Sequence, residues 1–275
     1  MAFTLCAQQE VRLSVRSRWT QTFTVVFAAL ALAVATSGYV LSGGSGTQDF
    51  SRTAASLVEL VLLLVPLTSL VFGVMALTPD PGAAQLLYSQ PVPRTVVLFG
   101  QLAGLCLALL AAQAVGFGAA GLLIFQRAGS DGVFGFLGVV AGSCVLTVVF
   151  LAVAATITAG STSLRRAHHL AVALVVWFAA VVLFDVAALG AASLLRSGAA
   201  SRLLMVAAIV NPVDAVRTGT LLTVDGTTAF GAASLAFLRM TGGTTGAALT
   251  LAASLVVWIV LPLGIAAARV RRADL

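Results

Sequence analysis

Six runs of mostly apolar residues, separated by short polar or proline- and glycine-rich breaks, set the pattern of the chain: 22–41, 54–77, 95–125, 133–159, 170–195 and 247–268. A bilayer core about 30 Å thick is crossed by a helix of roughly 20 apolar residues, so each run predicts a transmembrane helix. Ahead of them, Phe3, Ala7, Val11, Val15 and Trp19 recur at every fourth position, while Glu10, Arg12, Arg16 and Arg18 occupy other faces. That stripe predicts a helix lying in the membrane interface. The stretch 196–246 is longer and less hydrophobic, and its apolar piece, 203–210, is too short to cross. The expected fold is an all-α integral membrane protein forming one domain over 1–275. Its parts are an interfacial helix (1–21), helices one to five (22–195), an external segment (196–246) and a sixth helix (247–268).

Composition narrows the class. With 60% hydrophobic and 9% charged residues and a mean hydropathy of +1.09, the chain lacks the roughly 25% charged residues of an ordinary soluble domain. The net charge of +6 comes from arginine alone, since the sequence holds no lysine. Arg12, Arg16, Arg18, Arg94, Arg165, Arg166, Arg269, Arg271 and Arg272 flank the runs on one side, against Arg52 and Arg127 on the other. This asymmetry places both termini in the cytoplasm and the protein in the inner membrane as a multi-pass chain. The basic residues serve topology and lipid contact, and no nucleic-acid partner is expected. The first run, too long for a signal-peptide core and preceded by Glu10 and three arginines, is expected to remain as a span.

Candidate chemistry is sparse. The Gly-Gly-Ser-Gly of Gly43–Gly46 is expected in a loop on the side opposite His168 and His169, which defeats a serine hydrolase needing proton transfer over about 3 Å. The pair His168–His169 is expected to join Arg165–Arg166 as a basic cluster at the lipid headgroups. Cys6, Cys106 and Cys144 are far apart and read as buried small hydrophobes; with Met75, Met205 and Met240 they make no soft-metal pair. A phosphate loop requires a lysine, so no catalytic, metal or cofactor site is expected, and any ATP would be bound by a partner.

Two acids, Glu59 and Asp185, fall inside spans, where a charge costs about 2.5–3.5 kcal/mol on insertion scales and marks a cavity or an interhelical partner. Gly100/Gly104 and Gly138/Gly142 have the spacing of close helix contacts, within the subunit or between subunits. On the cytoplasmic side, Pro79 and Pro81 end the second span, 82–88 can form a short helix, and Pro91 and Pro93 close it. On the opposite side, Asn211, Pro212 and Asp214 read as an N-cap, a first-turn proline and a first-turn acid of a surface helix that also carries Arg217.

These residues give the chain a family likeness. Ala7, Glu10, Arg16, Arg18 and Trp19 match the N-terminal interfacial helix of six-helix ABC exporter permeases. Asp80, Gly82, Leu86, Leu87, Pro91 and Arg94 match the cytoplasmic segment that couples such permeases to their ATPase. Val176–Phe178, Phe184, Asp185 and the pattern Asn211-Pro212-x-Asp214-x-x-Arg217 narrow the likeness to the NosY-like permeases of the copper-processing system that matures nitrous-oxide reductase. Asp80 replaces a usual Glu, Ala83–Ala84 a Thr-Leu, and Gln101 a usual Lys. The resemblance implies a homodimer without its own ATPase site, bound to a cytoplasmic NosF-like ATPase subunit and a periplasmic copper-binding NosD-like protein. The coupling segment would receive the ATPase stroke, and Asp185 with 211–217 would pass it outward. An exporter of a small hydrophobic compound, lipid or drug, and a non-transporting membrane anchor, are the alternatives.

Overall fold

The computed structural model describes residues 2–40, 47–78, 92–128, 133–159, 166–225 and 232–272, and among these it contains helices and no strand. The interfacial helix is α1 (Ala2–Arg16). Six long helices follow the expected runs: α2 (Arg18–Val40), α3 (Thr47–Leu77), α4 (Arg94–Ala128), α5 (Val133–Thr158), α6 (Arg166–Ser193) and α10 (Thr244–Arg272). The stretch between the fifth and sixth spans carries three further helices, α7 (Ser197–Val210), α8 (Pro212–Asp225) and α9 (Ala232–Thr241). The coupling-segment residues Asp80, Gly82, Leu86, Leu87 and Pro91 lie outside the described residues, whereas Arg94 opens α4.

Neighbouring spans alternate in direction, as their contacts show: Phe23 of α2 meets Phe72 of α3, Phe117 of α4 meets Phe136 of α5, and Thr78 after α3 meets His169 of α6. The bundle therefore has a near end, carrying the end of α3, the starts of α4 and α6 and the end of α10, and a far end, where α6 hands over to α7. The core lies where α3 crosses α5 and α2 crosses α4, around Phe27, Leu57, Leu62, Leu70, Leu109, Leu146 and Phe150, all buried. One polar network sits in it. Gln113 Nε2 donates to Thr147 Oγ1 (2.8 Å) and Ser143 Oγ donates to Gln113 Oε1 (2.7 Å), so the three side chains satisfy one another and pin the register of α4 on α5.

The paired glycines serve packing inside the chain. A Cβ on Gly104 would collide with the Ala7 carbonyl and lie 2.7 Å from Glu10 Cβ, and one on Gly100 would lie 2.7 Å from Cys6 Cβ, so these glycines let α1 rest on α4. A Cβ on Gly142 would lie 2.7 Å from Thr220 and 2.8 Å from Val216, so this pair receives α8. Three sequence expectations are corrected. Glu10, expected on a polar face, is buried with Ser14 against α4, while Phe3 and Val15 of α1 and Trp19 at the start of α2 are exposed. The cysteines are free but only half-buried. His169, expected among headgroups, is buried, and its Nδ1 lies 3.3 Å from Thr78 Oγ1.

Burial holds the Glu10 carboxyl above the ordinary carboxylate range, and the hydrogen bond donated by Ser14 Oγ (3.4 Å) offsets part of that rise. A carboxyl raised in the folded state favours folding while protonated. That contribution is complete below the unfolded-chain value and is lost as pH rises through the folded one. Glu10→Gln, neutral at every pH, is expected to melt above the wild type at neutral pH, with the difference closing as pH falls into the carboxylate range. Melting curves that coincide at all pH values contradict this.

Candidate functional site

The polar centre of the molecule forms where α7 and α8 enter the bundle. Asn211, extended at φ −85° and ψ 124°, precedes Pro212, and the two helices meet there at 101°. Proline disfavours a helical conformation in the residue before it and itself suits the first helical turn, so the dipeptide ends α7 and starts α8. Asn211 Oδ1 caps α8 by accepting from Val213 N–H at 3.1 Å.

The bend lies deep in the bundle, which corrects the surface placement expected for 211–217. Asn211 Nδ2 donates to the Ala180 carbonyl of α6 at 2.8 Å, while Ser254 Oγ and Trp258 Nε1 of α10 donate to the Ile209 and Val210 carbonyls, the latter at 2.8 Å. Ala180 is 13 residues from the end of α6 and Trp258 is 14 from the start of α10. At 1.5 Å per residue, the bend is roughly 20 Å from the far end, near the middle of both helices. From there α8 climbs back along α5 and α3, burying Val213, Ala215 and Val216. The pair is a hairpin that enters and leaves by the far end.

Around the bend the carbonyls that a helix end leaves unpaired find side-chain donors, which a low-dielectric surrounding requires. A π-helical turn at Ala179–Leu183 contributes: Phe184 N–H bonds to Ala179 O instead of Ala180 O, and Ala180 O accepts from Asn211. Trp177 Nε1, one turn earlier, donates to Leu63 O at 3.1 Å, close to Pro66, which lacks a backbone donor of its own within α3.

One turn above the bend, Arg217 gathers the acids. Its Nη1 donates to Asp185 Oδ2 of α6 and to Asp214 Oδ1 of α8, both at 2.8 Å, and its Nε lies 3.5 Å from Glu59 Oε1 of α3. The Glu59 contact is an ion pair without hydrogen-bond geometry, and 64% of the Glu59 side chain is exposed, against 11% for Asp214. Asp214 Oδ2 also accepts from Asn211 Nδ2 at 3.1 Å. Glu59, Asp185, Asn211, Asp214 and Arg217, two separate sets in the sequence, thus form one cluster joining α3, α6 and α8. Sequence reasoning missed Ser254, Trp258 and the carbonyls they satisfy. An indole and a hydroxyl four residues apart in an apolar run were the available signal.

A second junction ties α3 to α6 at the near end. Arg166 Nη2 donates to Thr78 O at 2.7 Å, and His169 meets the Thr78 hydroxyl. Thr78 is the last described residue before the coupling segment.

Because Arg217 is bonded to two carboxylates and paired with a third, removing it leaves partly buried like charges unopposed, whereas Glu59 has solvent or headgroups to face. Arg217→Met is therefore expected to lower the melting temperature and the monodisperse yield in detergent sharply, and Glu59→Gln only slightly. Equal effects of the two changes would contradict this geometry.

Residues 5–275 match the model of the ABC-2 family transporter proteins. The probable ABC transporter permease protein NosY of Pseudomonas aeruginosa is 32% identical over 239 residues, covering 84% of this chain and 85% of that protein. Its namesake from Stutzerimonas stutzeri is 31% identical over 219 residues, covering 77% and 78%. A helical bundle with six apolar spans and these relatives leads to one conclusion: the chain belongs to the ABC-2 transporter family, as a multi-pass permease subunit that works with a separate ATPase subunit.

Proposed function

We propose that this permease serves copper-site assembly of nitrous-oxide reductase, relaying ATP hydrolysis in a cytoplasmic NosF-like subunit to a NosD-like copper protein outside. In this reading the whole chain is one permease domain, works as a homodimer, and keeps both termini in the cytoplasm; the coupling segment from Asp80 to Arg94 takes the ATPase stroke. The similarity to two NosY permeases over most of their length supports the reading. The observation that carries it is the double tie between α3 and α6. Thr78 joins the two helices next to the coupling segment, and in the far half Arg217 of α8 bonds Asp185 of α6 and pairs with Glu59 of α3. A displacement of α3 at its near end is then passed to the α7–α8 hairpin as a rigid movement.

A second reading, export of a small hydrophobic compound, draws on an apolar-walled cavity beside the same cluster. It predicts that the compound stimulates ATP hydrolysis with no external protein present.

Asp185→Asn tests the relay. The side chain keeps its shape and loses its charge, so the complex with the ATPase subunit should still be recovered and still hydrolyse ATP, while the copper content of co-expressed nitrous-oxide reductase falls. Wild-type copper loading in this variant would remove Asp185 from the relay.

A further inference from the structure

The cavity beside the ion cluster has the shape and charge of a binding site. It holds about 350 Å³, within the roughly 300–1,000 Å³ typical of small-molecule sites. Asp185, Asp214 and Arg217 lie on one wall, with Ser201 and Thr218 as the other polar groups. The rest is apolar, including Leu189 of α6, Leu204 and Met205 of α7, Leu222 of α8 and Phe237 of α9. Ser201, Leu204, Met205 and Ala208 follow the spacing of a single helical face, so α7 turns one side to the cavity. Arg202 and Arg239, the nearest other cations in sequence, do not line it.

The charges in this wall do not balance. Among the described residues the wall sets one guanidinium, Arg217, against two carboxylates, Asp185 and Asp214, and Asp185, with 26% of its side chain exposed, opens onto the cavity; Glu59, the third acid of the cluster, is not part of the lining. Excess negative charge beside an apolar chamber at membrane depth is costly unless a cation or a bound proton offsets it, and an ammonium head brings both. A guest that satisfies both walls carries a positive head for the carboxylates and a hydrocarbon body for Leu189, Leu204, Met205, Leu222 and Phe237. An anionic head would meet the two aspartates, and a neutral one would leave the excess charge in place.

We propose that the half-open cavity between α6, α7, α8 and α9 binds an amphiphile with a protonated amine head, the ammonium directed at Asp185 and Asp214 and the tail packed along α7. Two sources share this chemistry, an amine-headed membrane lipid and a free alkylamine. The site does not depend on which system the permease serves.

The permease, assembled with its ATPase subunit in phosphatidylcholine nanodiscs, would be titrated with dodecylammonium, dodecanol and dodecyl sulfate and read by native mass spectrometry. Dodecylammonium should bind saturably and at least about tenfold more tightly than either of the others. Ala208→Phe, which adds a ring to the cavity from α7 and removes no member of the ion cluster, should abolish that binding while the complex stays monodisperse. Displacement of the probe when phosphatidylethanolamine is added to the nanodiscs would identify a lipid as the occupant. Continued binding in its presence would identify a free amine. Equal uptake of the three probes by the wild type would overturn the proposal whether or not the variant folds, and so would unaltered dodecylammonium binding in a folded Ala208→Phe protein.

Discussion

A bend buried halfway down a membrane bundle must find hydrogen-bond partners for the backbone groups it unpairs, and the far half of this molecule is organised around that need. Ser254 and Trp258 supply donors to the end of α7, Asn211 caps the start of α8, and the π-turn of α6 presents the Ala180 carbonyl to Asn211. Only with the bend held in this way does α8 stand where Arg217 reaches three helices. The ion cluster is thus a consequence of a satisfied backbone, and both the relay and the cavity are consequences of the cluster.

Glycine and proline set the remaining geometry. Gly138 and Gly142 clear the surface of α5 so that Thr223, Thr220 and Val216 can lie against it, which brings α8 close enough to bury its first turns. Pro66 and Pro262 lie inside the continuous helices α3 and α10, and near each a neighbouring span donates a side-chain hydrogen bond to the backbone: Trp177 to Leu63 O, Thr156 to Pro262 O. Arg269 in turn donates to Thr156 O at 2.9 Å, closing the near end of α5 on α10. Links of this kind make the bundle stiff along its length, as a subunit that conveys movement from one face to the other must be.

The spans were legible because their signal is bulk hydrophobicity over about 20 residues, and the observed helices fall within a few residues of the expected runs. Asn211-Pro212 was legible as a helix start because cap and proline chemistry is local. Where that helix sits was not. An apolar stretch of 203–210 is too short to span, and length alone does not separate a surface helix from one that dips in and returns. Glu59 and Asp185 were marked by the cost of charge at depth, but the partner that explains them sits on a different helix and is brought there by the fold. The burial of Glu10 and His169 was likewise hidden, since each is decided by glycines or a threonine distant in sequence.

Arg217 and Asp185 form the link between the hairpin and the α3–α6 pair. A double-mutant cycle measures that link directly: wild type, Arg217→Met, Asp185→Asn and the double variant, compared by thermal unfolding in the same detergent. Directly bonded groups should couple by at least about 0.5 kcal/mol, the double variant losing less than the summed single losses. Strict additivity would show that the two side chains do not act on each other and that the hairpin is not tied to α6 through them.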